Sequence, residues 1–225
     1  MSTGSRPDNN SHCLVSAADL PSLHNDPASS PDFWGDSILH VTSSSHLRVA
    51  TININGLPKD VQHVKNDTLR ESIDRYKIDV LGLSEINVKW DRIYPSNRLK
   101  QRVSRWWEHC HCSYAYNFQD LSKATYQPGG TALFSLHSSS HKVLSPTLSD
   151  PFGLGRWTST LYNGQGIRLR IIQFYSPPQP SPLSHNSSFT QQQRYFLTKH
   201  IEDCPRSLFL QHLSQFITER LQAQE

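Results

Sequence analysis

The chain has 225 residues, of which 36% are hydrophobic, enough to bury a sheet and its covering helices in one domain. No apolar run approaches the roughly 20 residues needed to cross a bilayer, and no basic segment followed by an apolar one opens the sequence, which argues against membrane-spanning and secreted classes. The formal charge of +3 is uneven: residues 1–46 hold one basic residue, Arg6, against five acidic ones, net −4, and the remainder holds 21 basic against 14 acidic, net +7. That surplus favours a polyanionic partner through counterion release, although an ordinary solvated basic surface has the same composition.

Four scattered cysteines, Cys13, Cys110, Cys112 and Cys204, do not form a disulfide framework and point to a reducing, intracellular compartment. Residues 1–46, rich in Ser, Asp, Asn and Pro without an apolar period, read as a disordered leader, and a folded domain is expected over residues 47–225. Leu47 to Ile54 predicts a first strand. The Gly56-Leu57-Pro58 turn leads to a helix over about Asp67–Lys77, with Leu69, Ile73 and Tyr76 on one face. A right-handed crossover then sets Ile78–Leu83 beside the first strand and brings Asn53 and Glu85 to neighbouring strand ends. Both strands are apolar runs that end in polar residues, and the crevice beyond such ends is where open α/β sheets bind ligands. Asn53, Asn55 and Glu85 could therefore converge on one metal ion or phosphate.

Ser96 is the expected cap of a helix over Asn97–Glu108, with Leu99, Val103, Trp106 and Trp107 at helical spacing. His109-Cys110-His111-Cys112 carries metal-ligand side chains, yet zinc pairs are normally separated by two or more residues, so the segment reads as a helix end running into a strand. A strand over Ser113–Phe118 leads through Pro128-Gly129-Gly130 into another over Thr131–Leu136. Strands over Arg156–Tyr162 and Ile167–Gln173 flank Asn163-Gly164-Gln165-Gly166, which has hairpin-turn chemistry, and the second ends at Phe174-Tyr175-Ser176-Pro177-Pro178. Two helices close the order. One covers about Ser188–Glu202 with Phe189, Phe196 and Ile201 inward; the other starts at Pro205 with Leu208, Phe209, Leu213, Phe216 and Ile217 inward.

This order resembles the N-terminal part of the endonuclease/exonuclease/phosphatase superfamily, over about Leu47 to Leu221. Three strand ends carry the likeness: Asn-x-Asn-Gly-Leu at Asn53–Leu57, a strand ending in Glu at Leu81–Glu85, and aromatic-Tyr-x-Pro at Phe174–Pro177. Gly129-Gly130-Thr131-Ala132-Leu133 fits the same order, and the endonuclease domains of non-LTR retrotransposons look most similar. The resemblance implies a four-layer α/β/β/α sandwich of DNase I-like type, C-terminally incomplete, acting as a metal-dependent phosphodiesterase on nucleic acid, most of all DNA.

Carried over residue by residue, the resemblance makes Glu85 the acidic ligand of Mg²⁺ or Mn²⁺ and has Asn53 and Asn55 organise the metal site. It also makes Tyr175 the hydroxyl that meets the scissile phosphate. Hard divalent ions favour oxygen ligands and keep several waters, which suits one carboxylate beside carboxamides. Arg156, near the hairpin base, is a candidate contact to a backbone phosphate. Each residue also has a plain structural use: Glu85 as a solvated strand-end carboxylate, Asn53 and Asn55 as turn caps, Tyr175 as a ring packed on Pro177 and Pro178, Arg156 as a solvated cation.

The family's later motifs are absent: no Asp-x-Asn follows Tyr175, and the closing Asp-His that activates the attacking water occurs nowhere in the sequence. The resemblance therefore implies a truncated chain that lacks the C-terminal half of the domain and is catalytically inactive alone. It further implies that a sheet normally covered at about 25 cal/mol per Å² of apolar area is left partly open. Two other readings share these residues, a noncatalytic nucleic-acid-binding remnant and a family member acting on lipid or inositol phosphates.

Overall fold

A computed structural model describes residues 47–164, 166–178 and 186–223. The leader expected over residues 1–46 lies outside them. Strand β1 (Val49–Asn53) passes through helix α1 (Val64–Tyr76) to β2 (Val80–Ser84), and the two strands pair in parallel with Asn53 opposite Ser84. β4 (Thr131–Leu136) runs antiparallel to β2, and β3 (Cys110–Ala115) antiparallel to β4, giving the order β1-β2-β4-β3. The crossover and the parallel register are those predicted from the sequence, since a helix between two apolar runs returns the chain to the same sheet edge.

Each helix begins where local chemistry allows. α1 starts earlier than its apolar period suggests because His63 Nδ1 accepts from the Lys65 N–H, and it ends where Lys77 turns left-handed at φ 52°. Tyr76 faces solvent, contrary to its expected inward position, whereas Leu69 and Ile73 are buried. The helix expected over 97–108 is shorter. Pro95–Asn97 forms a 3-10 turn and α2 covers Leu99–Trp106 with Arg98, not Ser96, at its cap. The strand expected at Ser113–Phe118 starts three residues sooner, at Cys110, with Cys112 buried beneath it.

A second sheet has the order β5-β6-β7, from β5 (Val143–Ser149), β6 (Trp157–Gly164) and β7 (Ile167–Phe174). The β6–β7 hairpin is the predicted one, in register from Trp157–Phe174 to Gly164–Ile167. β5 has no counterpart in the sequence reading, because Ser145-Pro146-Thr147 breaks its apolar run. An edge strand tolerates a proline, and the β5–β6 register shifts between Leu144 and Leu148. Helices α3 (Ser188–Thr198) and α4 (Pro205–Gln222) follow, α3 capped by the Ser187 hydroxyl on Thr190 N–H and α4 opened by Pro205.

The layers are helix, sheet, sheet, helix. Leu69 and Ile73 of α1 and Leu99 and Val103 of α2 pack with Leu81, Leu83 and Phe134 on one outer face, while Phe209 and Leu213 of α4 pack on Trp157 on the other. Between the sheets lie Val80, Leu133 and Tyr162 together with small polar residues. Two hydroxyl pairs cross this layer, Ser135 Oγ with Tyr162 Oη at 2.6 Å and Ser113 Oγ with Thr160 Oγ1 at 3.2 Å. Each is a buried polar pair whose partners satisfy one another.

The expected bare inner face is not what the fold leaves open. β2 and β4 are buried along their lengths apart from half-buried Ser84. Exposure falls instead on the edge strands, at Val49 and Ile52 of β1 and at Ile167 and Leu169 of β7. Among the described residues, no helix is long and apolar enough to cross a membrane.

Candidate active site at the strand ends

Three loops meet where β1, β2 and β4 open to solvent. Beyond the Asn53–Ser84 pair the two parallel strands leave the sheet together: Ile54 N–H donates to the Ser84 carbonyl at 3.0 Å, Gly56 N–H to Glu85 at 2.7 Å and Leu57 N–H to Ile86 at 2.8 Å. Asn87 N–H donates to the Gly129 carbonyl at 2.9 Å, and the Asn87 side-chain oxygen accepts from Gly129 N–H at 2.8 Å. Glu85 thus sits on a segment stitched on both sides.

The backbone at this junction is unusual in one consistent way. Asn55, Glu85 and Asn87 all have positive φ, at 44°, 53° and 58°, a region that asparagine tolerates but glutamate seldom adopts. Strain of this kind persists only where the surroundings over-determine it, and it concentrates at functional sites. Asn53 stabilises the turn by accepting from Asn55 N–H at 3.0 Å, so its side chain acts through Asn55.

Tyr175 arrives from the other sheet. β7 ends at Phe174, and Tyr175 N–H donates to the Arg156 carbonyl at 2.8 Å, which turns the ring over Gly129. A Cβ at Gly129 would approach Tyr175 Cε1 to 3.4 Å at a φ of 90°, so glycine is what lets the ring lie against the loop. Burial pushes the Tyr175 hydroxyl up to about 12; a polar contact with Ser188 pulls it back, and the charge and hydrogen bonding of Glu85 raise it further. The group stays a neutral donor at physiological pH.

These residues line one cavity of about 540 Å³, formed by Asn55, Glu85, Asn87, Tyr126, Pro128, Gly129, Tyr175, Pro178 and Asn186–Ser188. A neighbouring depression of about 600 Å³ shares Asn55, Asn87 and Tyr126 and adds Lys59, Asp60, His63 and Lys65. Asn55, Glu85 and Tyr175 therefore come together from segments far apart in sequence. Sequence reasoning missed Asn87, although it stands two residues after Glu85 as Asn55 stands two after Asn53.

Arg156 requires correction. It is fully buried away from the cavity, with Nε 2.7 Å and Nη2 2.8 Å from the Asp150 carboxylate and Nη1 3.1 Å from His212 Nδ1. Phe152, Trp157 and Phe196 surround its guanidinium. A cation enclosed in this way cannot present itself to a backbone phosphate; it holds α4 and the loop before β6 together.

The donor set suits a hard divalent cation in kind. Glu85 is half-buried, and among the described residues no Lys or Arg forms a salt bridge with it. A half-buried carboxylate with no ion pair among the described residues fits an ion that takes one carboxylate and retains waters. Among the described residues no three His, Cys, Asp or Glu side chains cluster as a complete metal cage. His111 and Cys112 do not form one either. Burial lowers the basicity of half-buried His111 and raises the pKa of the buried Cys112 thiol, which disfavours the thiolate a metal would need.

Residues 50–210 match the Endonuclease/Exonuclease/phosphatase family. The chain belongs to that family. No curated protein matches it in sequence. Solved structures similar to it include an AP endonuclease from Archaeoglobus fulgidus, at 18% identity and a TM-score of 0.40 over 68% of this chain and 49% of that one. Another is an endonuclease/exonuclease/phosphatase family protein from Leptotrichia buccalis, at 15% identity and 0.39 over 68% of this chain and 63% of that one. The chain thus spans about half of the first and less than two thirds of the second. Family membership and the four-layer architecture agree with the fold expected from the three strand-end motifs.

Proposed function

We propose that this chain is the N-terminal part of a divalent-metal-dependent DNA endonuclease of the non-LTR retrotransposon type, and that it does not cleave by itself. The observation that carries the reading is the convergence of Asn55, Glu85 and Tyr175 on one cavity at the ends of strands from both sheets. Glu85 would hold Mg²⁺ or Mn²⁺, with Asn55 and Asn53 fixing the loop beside it. When bound, the ion supplies positive charge that polarises a phosphodiester and stabilises the leaving oxygen. Tyr175 contributes a neutral hydroxyl that donates to a phosphate oxygen, and its burial keeps that proton in place. The net +7 of residues 47–225 supports an anionic polymer as substrate. The order of the strand-end motifs taken together, which looks most similar to non-LTR retrotransposon endonuclease domains, supports the retrotransposon type.

The water-activating His-Asp pair belongs to motifs that this sequence does not contain, which supports an inactive fragment. It equally supports the second reading, a noncatalytic module that binds nucleic acid. One set of experiments separates these. A reading frame that continues past Glu225 into Gly-Asp-x-Asn and then Ser-Asp-His, together with Mg²⁺-dependent nicking of supercoiled DNA by the extended protein, is the expected result. DNA binding with a steep salt dependence but no nicking by the extended protein favours the binding module. Hydrolysis of inositol phosphates in place of DNA sinks both.

A further inference from the structure

We propose that Lys65 is a positioning residue for this cleft: its ammonium fills a cage of three backbone carbonyls and so fixes the turn that presents Asn55, an inference that rests on the metal-binding reading of Glu85. Lys65 Nζ donates to the carbonyl oxygens of Ile54 at 2.6 Å, Asn55 at 3.2 Å and Gly56 at 2.8 Å. An ammonium has three N–H donors and no acceptor, so this contact set is complete.

Three consecutive carbonyls rarely face one point. They do so here because the chain is left-handed at Asn55 and again at Gly56, with φ of 44° and 86°. Grouped oxygen dipoles repel one another unless a cation sits among them, and the left-handed Asn55 adds strain of its own. Lys65 supplies that cation from inside the protein. Helix energetics give no other reason for it, since a positive charge in the first turn of α1 opposes the helix dipole, and His63 already provides the cap.

The turn is held on its other side by the bonds from Gly56 and Leu57 N–H to the Glu85 and Ile86 carbonyls. Lys65 and Glu85 therefore grip one short loop from opposite directions. Freeing the Lys65 side lets Asn55 leave the cleft without unfolding the sheet.

Hydrogen exchange combined with Mn²⁺ titration of the whole chain tests this. Lys65→Met keeps the apolar stem and the helix propensity but removes the ammonium. Expected are exchange of the Gly56 and Leu57 amides faster by roughly tenfold or more, unchanged exchange at Leu83 and Phe134, and a several-fold weaker Mn²⁺ affinity. In Lys65→Ala, methylammonium can enter the vacated cage, and it should restore the slow exchange where tetramethylammonium does not. Unchanged exchange at Gly56 and Leu57, or equal loss of protection throughout β2 and β4, overturns the positioning role. Faster loop exchange in a chain whose parent binds no Mn²⁺ supports the carbonyl cage and overturns the metal reading instead.

Discussion

Asn53 and Ser84 are the last paired residues of the parallel β1–β2 ladder, and Glu85 leaves the sheet immediately beside the turn that Asn53 stabilises. Glu85 and Asn55 consequently line one cavity with Tyr175.

Glu85→Gln removes the negative charge while keeping shape. Because Glu85 makes no salt bridge among the described residues, the melting temperature should be nearly unchanged, whereas Mn²⁺ affinity should drop about tenfold or more, read by the free-ion EPR signal. Equal affinities in parent and variant would remove Glu85 from the metal site.

The Arg156–Asp150 pair is wholly enclosed, with both side chains 0% exposed. Breaking such a pair from one side leaves an uncompensated buried charge and costs about 3–5 kcal/mol. Asp150→Asn and Arg156→Met should each lower the urea midpoint sharply, and the double variant should lose less than the sum of the two. A variant with native stability but weaker DNA binding would instead return Arg156 to the phosphate role.

His212 Nδ1 lies 3.1 Å from Arg156 Nη1, so it accepts only while the imidazole is neutral. Burial lowers its pKa below the usual 6.5, the Arg156 charge lowers it further, and Asp150 partly opposes them. A depressed histidine contributes stability that is present above 6.5 and lost as pH falls through the folded-state value. Thermal melts from pH 7.5 to 5 should show the parent losing stability more steeply than His212→Asn. Parallel curves would show that His212 titrates as it does in the unfolded chain.

Gly82 accommodates Gln173 between the sheets. A Cβ there would stand 2.0 Å from Gln173 Oε1 and 2.8 Å from its Cδ, while that oxygen accepts from Thr51 Oγ1 at 3.1 Å. Gly82→Ala should destabilise by about 1–3 kcal/mol in chemical denaturation, and Gln173→Ser in the same chain should recover much of it. A cost that persists in the double variant would place the strain in the backbone.

The sequence by itself determined that β2 is buried on both faces, the crossover that sets Asn53 beside Ser84, the β6–β7 hairpin and the aromatic-Tyr-Pro strand end, whereas β1, which reads as a buried strand too, is an exposed edge strand. Apolar run length, turn chemistry and handedness are local properties, and the sequence carries them. It did not reveal β5, whose proline and serine break the apolar run on an edge strand, a position that tolerates proline. Nor did it show that Arg156 is enclosed: a surface and a buried arginine look alike until Asp150, His212 and three aromatic rings fold around one of them. Only the tertiary structure decided that Asn87 belongs to the cleft, that Tyr175 rests on Gly129, and that Lys65 closes on three carbonyls. Those relations depend on left-handed backbone and long-range hydrogen bonds, which arise when separate loops are pressed together and leave no period in the sequence.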